Sequence, residues 1–306
     1  MSRLPELEPG REPEPPESVA ATRPFYWSVR RELWENRSVL LVPAAMAALV
    51  VFAAFYNLLG LPAKVRGLAP EELQTAIVRP FAMAPAPIML VSFLVGCFYA
   101  IDALYGERRD RSLLFWKSLP VSDRQSVFAK ASVPLLFLPL YALLLSLATL
   151  ATMLLGGSAI LLANGLGPGV LWRALPIFQQ PVVMVYGLTV HTLWWSPIYC
   201  WLLLVSAWAR RVPLLLALLP PIALLAIEHT AFGRLHLPAL MHYRLRGAMQ
   251  EAFYQAPGSG EPGILDRIDQ LAPLRFLTTP GLWTGLAFAA LCLVLAVRLR
   301  RHRETI

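Results

Sequence analysis

The chain has 306 residues, of which 57% are hydrophobic and only 15% are charged, and its mean hydropathy is +0.56. Soluble domains carry about 25% charged residues, so this composition excludes a soluble enzyme. A small disulfide scaffold is excluded as well, because the three cysteines are odd in number and lie within apolar segments. The net charge of +8 does not indicate a nucleic-acid partner, since no cluster of basic residues is interleaved with aromatics for base stacking.

The first part of the chain divides into a polar tail and an amphipathic segment. Residues 1–21 are rich in Pro and Glu, and we expect them to be disordered and to contain no signal peptide. Residues 22–306 are predicted to form one transmembrane domain. Near its start Trp27, Arg30 or Arg31, and Trp34 follow at helical spacing, so that an aromatic stripe is expected to oppose a charged one that includes Glu32. This pattern predicts a helix in the membrane interface, and a simple connection into the first span is the alternative.

Six segments are apolar enough to cross a bilayer as helices, which takes about 20 residues each. They predict an all-α polytopic membrane protein with spans 1 to 6 at residues 38–59, 86–105, 132–155, 181–208, 212–227 and 281–297. Span 5 is short and contains Pro220 and Pro221.

The distribution of Lys and Arg predicts the orientation of these spans. Residues 22–37 before span 1 and the segments between spans 2 and 3, between spans 4 and 5, and after span 6 together hold 16 basic residues. The three alternate connections are nearly twice as long in total and hold 9. Because cytoplasmic loops carry the excess of Lys and Arg, both termini are predicted to be cytoplasmic. We expect a multi-pass protein of a bacterial plasma (inner) membrane, in contact with lipid.

The connection between spans 2 and 3, residues 105–131, contains four consecutive bulky apolar residues at 113–116. Ser112 is a suitable N-cap for a short helix that ends at Pro120, and Ser122 or Asp123 for the helix that leads into span 3. Each exposed Leu or Phe forgoes about 1.5–3 kcal/mol of burial. We therefore expect these side chains either to enter the lipid headgroups or to fill a groove on another protein.

The order of these features resembles that of the membrane-spanning subunit of ABC-2-type exporters. The loop has the form E-R-x-x-x-S-x-x-x-x-x-S-L-P-V-S-x-x-x-x-x-x-x-K, matched by Glu107, Arg108, Ser112, Ser118, Leu119, Pro120, Val121, Ser122 and Lys130. The resemblance implies that the loop is a coupling helix that docks on a cytoplasmic ATP-binding subunit. The interface residues that it implies are Arg109, Arg111, Ser112, Leu113, Leu114, Phe115, Trp116, Lys117, Pro120 and Asp123.

The motif that cradles ATP phosphates, G-x-x-x-x-G-K-[ST], does not occur in the chain. We therefore expect a non-catalytic permease with no cofactor of its own, and ATP and Mg²⁺ on a partner chain. The expected assembly contains two copies of the ATP-binding subunit and a second permease copy.

The connection between spans 5 and 6 is the longest of those that alternate with the basic segments. It predicts a helix over LPALMHYRLRGAMQEAFYQ and a second helical run over residues 264–276. The resemblance implies that this connection forms a gate or lid, and a passive cap is the alternative.

Ionisable residues within spans are candidate functional residues. Asp102 is predicted to form a local ion pair with Arg108 or Arg109. His191 lies near the middle of span 4 and, with Thr192 and Trp195, is a candidate for a substrate path. It has no Cys, Asp or second His at metal-ligand spacing, which argues against a metal site.

Two other functions start from the same His191. An intramembrane hydrolase would pair it with Ser146 or Ser196 as nucleophile. A proton-coupled carrier would combine it with Glu228.

Overall fold

The computed structural model describes residues 24–109, 122–232, 236–254 and 267–302. These residues are almost entirely helical and contain no β-strand, only an isolated antiparallel bridge between Phe253 and Leu271. Six of the helices are long and apolar enough to cross a membrane. The prediction of an all-helical protein with six helices able to span a membrane is therefore confirmed for these residues.

The six spans are continuous helices close to their predicted positions, and each keeps its number here. They are Ser38–Leu59, Pro85–Asp102, Leu138–Ala163, Gln179–Trp208, Pro213–Phe232 and Pro280–His302. A lead-in helix, Pro24–Glu35, precedes span 1, and a short helix, Tyr105–Arg109, follows span 2 after a turn. Span 3 is preceded by an entry helix, Asp123–Ser132, and by a π-helical turn, Val133–Phe137.

The alternating connections define two ends of the bundle. At the end that we call the basic end, the lead-in helix meets span 1, span 2 passes toward span 3, span 4 turns into span 5, and span 6 finishes. We call the other end the opposite end. Three short helices there were not predicted from the sequence, because they are brief and partly polar: Leu61–Gly67, Pro70–Met83 and Gly169–Ala174.

The connection between spans 5 and 6 forms an outer helix, His236–Ala252, as the sequence predicted. The described part of the second predicted run is not one helix. A 3₁₀ turn, Ile268–Gln270, is followed by a short helix, Pro273–Thr278. The break lies at Ala272, whose N–H donates to the carbonyl of Ala252 at 2.9 Å, and Pro273 then starts a new helix.

Span 4 is the central helix of the bundle. It packs most extensively against span 6 and also contacts spans 2 and 3, and its Trp194, Tyr199 and Leu203 are buried. Span 5 remains helical through Pro220 and Pro221, but among its described side chains only Ala217 is buried. Lipid tails are as apolar as leucine, so this exposure is compatible with a membrane environment.

Candidate functional site

Six charged side chains converge at the basic end, from the lead-in helix, the end of span 2, the entry helix of span 3 and the end of span 6. We call them the charge cluster: Arg31, Glu32, Glu107, Asp123, Lys130 and Arg300. Each of its three carboxylates has a cation within 3.4 Å. Buried charges are tolerated only in such paired arrangements.

Lys130 is the centre of the charge cluster. Its Nζ lies 2.9 Å from Glu32 Oε1 and 3.1 Å from Glu107 Oε1. Both Lys130 and Glu32 are only 2% exposed. Tyr99, near the end of span 2, donates a hydrogen bond to Glu32 Oε2 at 2.8 Å, so both oxygens of that carboxylate are occupied. The lead-in helix is thus held to spans 2 and 3 through one buried glutamate.

Two arginines complete the network around Glu107. Arg31 Nη2 lies 3.1 Å from Glu107 Oε1, and Arg300 Nη1 lies 3.0 Å from Glu107 Oε2. Arg300 Nε lies 3.4 Å from Asp123 Oδ1. Span 6 is therefore joined to both flanks of the connection between spans 2 and 3.

The sequence of the entry helix explains why Lys130 is buried. Ser122 caps this helix by accepting a hydrogen bond from the Gln125 N–H at 3.3 Å, which confirms the predicted capping position. Val127 and Ala131, three residues before and one after Lys130, are buried as well. The ammonium group is thus carried on the core-facing side of the helix.

The lead-in helix has two distinct faces. Glu32 is buried, whereas Trp27 and Trp34 are exposed, and the Arg30 guanidinium lies 5.1 Å and 4.9 Å from the centroids of these two rings. At the edge of the charge cluster, Arg31 Nε lies 3.3 Å from Glu35 Oε1. Burial nevertheless raises the pKa of Glu35, an effect that the Arg31 charge only partly offsets.

A second joint connects the end of span 2 to the end of span 4. The Ser206 hydroxyl accepts hydrogen bonds from the N–H groups of Leu104 and Tyr105 at 3.0 and 2.9 Å. The Arg108 guanidinium donates to the carbonyls of Ser206 and Ala209, which span 4 leaves unpaired at its C-terminus. The predicted ion pair of Asp102 is wrong: among the described residues Asp102 forms none, because Arg108 is directed toward span 4 instead.

Only two of the ten residues implied to contact an ATP-binding subunit belong to the described residues. Arg109 is exposed at the end of the helix Tyr105–Arg109, and Asp123 pairs with Arg300. The other eight lie outside the described residues: Arg111, Ser112, Leu113, Leu114, Phe115, Trp116, Lys117 and Pro120.

The half-buried His191 belongs to an aromatic group between spans 2 and 4. Its Nε2 lies 3.4 Å from the Tyr199 hydroxyl, and its ring centroid lies 6.0 Å from that of Phe93 and 6.3 Å from that of Trp195. Thr192 is half-buried on the same span.

A nucleophile and base pair for hydrolysis is not formed around His191. In the described part of the chain neither Ser146 nor Ser196 hydrogen-bonds to His191, and Ser196 Oγ donates to the carbonyl of Leu193 at 2.9 Å. This geometry does not favour the hydrolase hypothesis.

At the opposite end, the outer helix docks on spans 4 and 6. The Arg244 guanidinium lies 4.7 Å from the ring centroid of Trp194 and donates to the Gly281 carbonyl at 3.1 Å. Trp194 Nε1 in turn donates to the Arg244 carbonyl at 2.7 Å. Burial lowers the pKa of the Arg244 guanidinium.

Two glycines of span 6 make this docking sterically possible. A Cβ at Gly281 would lie 2.7 Å from the Tyr243 ring, and a Cβ at Gly285 would overlap the Arg244 guanidinium. The glycines are four residues apart and therefore share one face of the helix.

Comparison of the chain with protein-family models gives no match, and no curated protein matches its sequence.

Sequence reasoning did not identify the charge cluster as a site. It used Lys130 and Glu107 only within the loop pattern, Arg300 only for orientation, and Glu32 only as part of a charged stripe. One signal was available, because Lys130 continues the apolar register of Val127 and Pro134 at helical spacing. A cation at such a position needs a buried partner.

Proposed function

We propose that the chain is the membrane-spanning permease subunit of an ATP-driven ABC exporter in a bacterial inner membrane. It forms the translocation path, and a separate cytoplasmic ATP-binding subunit, present in two copies, binds ATP and Mg²⁺. A second permease copy completes the path. The basic end is the cytoplasmic end, where the 113–116 apolar residues dock on the ATP-binding subunit.

The observation that best supports this proposal is the contact between Glu107 and Lys130, on opposite sides of the 110–121 connection. This ion pair holds the two ends of the connection together. When the ATP-binding subunit displaces the connection, its two ends therefore do not simply move apart. The displacement passes instead to spans 2 and 3, and through Glu32 and Arg300 to the lead-in helix and span 6.

The same helices reach the opposite end of the bundle. Span 6 and span 4 carry Gly281 and Trp194, on which Arg244 of the outer helix rests. When spans 4 and 6 move relative to each other, the surface on which the outer helix packs therefore changes. The outer helix acts as the gate. ATP hydrolysis at one end is in this way coupled to opening at the other.

Purification of the chain from its native membrane, with identification of the proteins that co-purify, tests the proposal. Wild-type protein is expected to retain the ATP-binding subunit and its ATPase activity. A variant with Leu114, Phe115 and Trp116 replaced by Asp is expected to lose both, and the corresponding Ala variant to lose most of the association. A variant with Arg210 and Arg211 replaced by Ala serves as the control, since it alters another connection at the basic end.

Two outcomes would contradict the proposal. The first is retention of the ATP-binding subunit by both triple variants. The second is a wild-type complex without any protein that carries the phosphate-binding motif missing from this chain.

A further inference from the structure

A cavity of about 340 Å³ opens at the opposite end of the bundle. All three connections at that end contribute to it, together with the start of span 4. Its lining residues are Gln74, Thr75, Val78, Arg173, Ala174, Leu175, Pro176, Gln179 and Arg267. This volume falls in the lower part of the range of small-molecule sites.

The polar wall of the cavity is cationic. Arg173 and Arg267 are its two charged lining residues, and none of the lining residues carries a carboxylate. Within the part of the chain that the structure describes, Arg173 has no hydrogen bond or ion pair. Arg267 has one exposed pair, in which its Nε lies 3.6 Å from Asp269 Oδ1. Among the described residues, the Arg173 guanidinium thus has no partner, and the Arg267 guanidinium has one weak, solvent-exposed partner.

Neutral donors accompany the two arginines. The side-chain oxygen of Gln179 accepts a hydrogen bond from the Ile268 N–H at 3.3 Å, which leaves the amide NH₂ group of Gln179 as a donor. Gln74 supplies a second amide. Guanidinium and amide donors together form the set that recognises a phosphate or a carboxylate.

Apolar residues form the floor of the cavity and also follow or precede its lining residues in the chain. Val78 and Leu175 of the lining are 9% and 7% exposed and belong to the hydrophobic core below. Phe178 lies between the lining residues Pro176 and Gln179 and is 90% exposed. Ile268, next to Arg267, is half-exposed. An anion held by the arginines therefore has apolar surface directly beside it.

We propose that this cavity binds an amphiphile with an acidic headgroup, of the phosphate or carboxylate class. Arg173 and Arg267 pair with the headgroup, the glutamine amides donate to it, and the apolar tail lies along Phe178 into the lipid. A free phosphate ion shares the headgroup chemistry but makes no use of Phe178. The site is independent of the ATP-driven transport proposed above.

Calorimetric titration of the purified full-length chain in a maltoside detergent tests this proposal without any partner. The probes are soluble dihexanoyl phosphatidic acid, dihexanoyl phosphatidylcholine and inorganic phosphate. Wild-type protein is expected to bind phosphatidic acid about tenfold or more tightly than either of the other two, with the affinity falling as salt is raised.

R173Q is expected to reduce the affinity for phosphatidic acid about tenfold. R173K, which keeps the charge but not the planar fork, should bind more tightly than R173Q. R246Q removes an exposed arginine of the outer helix that does not line the cavity, and it is expected to bind like wild type. Size-exclusion profiles verify folding, and R267Q provides the same test if R173Q does not fold.

Three results would overturn the proposal. One is equal affinity for phosphatidic acid and phosphatidylcholine, which would show that the site does not recognise an anionic headgroup. Another is equal affinity for phosphatidic acid and inorganic phosphate, which reduces the site to a simple anion site. The third is equal loss of affinity in R246Q and R173Q, which would show that the lipid does not bind in the cavity.

Discussion

Glu107 and Lys130 lie on opposite flanks of the 110–121 connection, and 3.1 Å separates Lys130 Nζ from Glu107 Oε1. The same ammonium group holds Glu32 of the lead-in helix at 2.9 Å. One cation thus joins the end of span 2, the entry to span 3 and the helix that precedes span 1. Removing it should affect the whole basic end of the bundle.

Lys130→Met leaves the buried carboxylates of Glu32 and Glu107 with one cation fewer, although Arg31 still contacts both of them. We expect the free energy of unfolding to fall by about 3–5 kcal/mol, measured by denaturant titration in detergent. Lys64→Met at the opposite end is the matched control, because Lys64 forms no ion pair among the described residues. It should change the free energy by less than about 0.5 kcal/mol. Equal effects of the two variants would argue against a structural role for the charge cluster.

Glu107→Gln preserves the shape of the side chain but removes the charge that faces Lys130 and Arg300. If the chain is an ABC permease, we expect the ATP-binding subunit to remain bound, since residues 113–116 are unchanged. The change in hydrogen–deuterium exchange that ATP produces in the outer helix should be reduced. Glu72→Gln, at an exposed position of the opposite end, should retain the full change. An undiminished response in Glu107→Gln would exclude the charge cluster as the route of coupling.

Gly285→Ala places a methyl group where the Arg244 guanidinium lies. Because a long side chain can move aside, we expect little loss of global stability but a displaced guanidinium, without its Trp194 and Gly281 contacts. Amide exchange of the outer helix should rise about tenfold, which corresponds to about 1.4 kcal/mol of lost docking. Gly156→Ala on span 3, where the nearest side-chain atom is 3.8 Å away, is the control. Unchanged protection in Gly285→Ala would show that Arg244 does not hold the helix.

Gly96→Ala probes the contact between spans 2 and 4. A Cβ at Gly96 would lie 2.9 Å from Tyr199 Cε1 and 3.4 Å from Leu138 Cδ1. Since the Tyr199 ring is buried, we expect a cost of about 1–3 kcal/mol in unfolding free energy. Gly187→Ala on span 4 has its nearest neighbour at 3.9 Å and should be neutral or slightly stabilising. A neutral Gly96→Ala would mean that the two spans can separate without cost.

Local features of the chain could be predicted from the sequence. The six spans follow from the lengths of apolar segments, and the outer helix and the Ser122 cap follow from residues next to one another in the chain. The alternation of aromatic and charged residues likewise predicted a helix before span 1, but not that Arg30 lies beside both Trp27 and Trp34. Each of these depends on periodicity or on residue type within one continuous segment of the chain.

The tertiary structure alone decided which residues meet. Glu32 and Lys130 are 98 positions apart, and Glu107 and Arg300 are 193 apart. Arg244 of the outer helix meets Gly285 of span 6, and the cavity joins Arg173 and Arg267 from separate connections. In lipid a helix is apolar on every side, so its hydrophobic pattern does not indicate which face packs against a neighbour. The partners of the few charges and glycines are set by that packing.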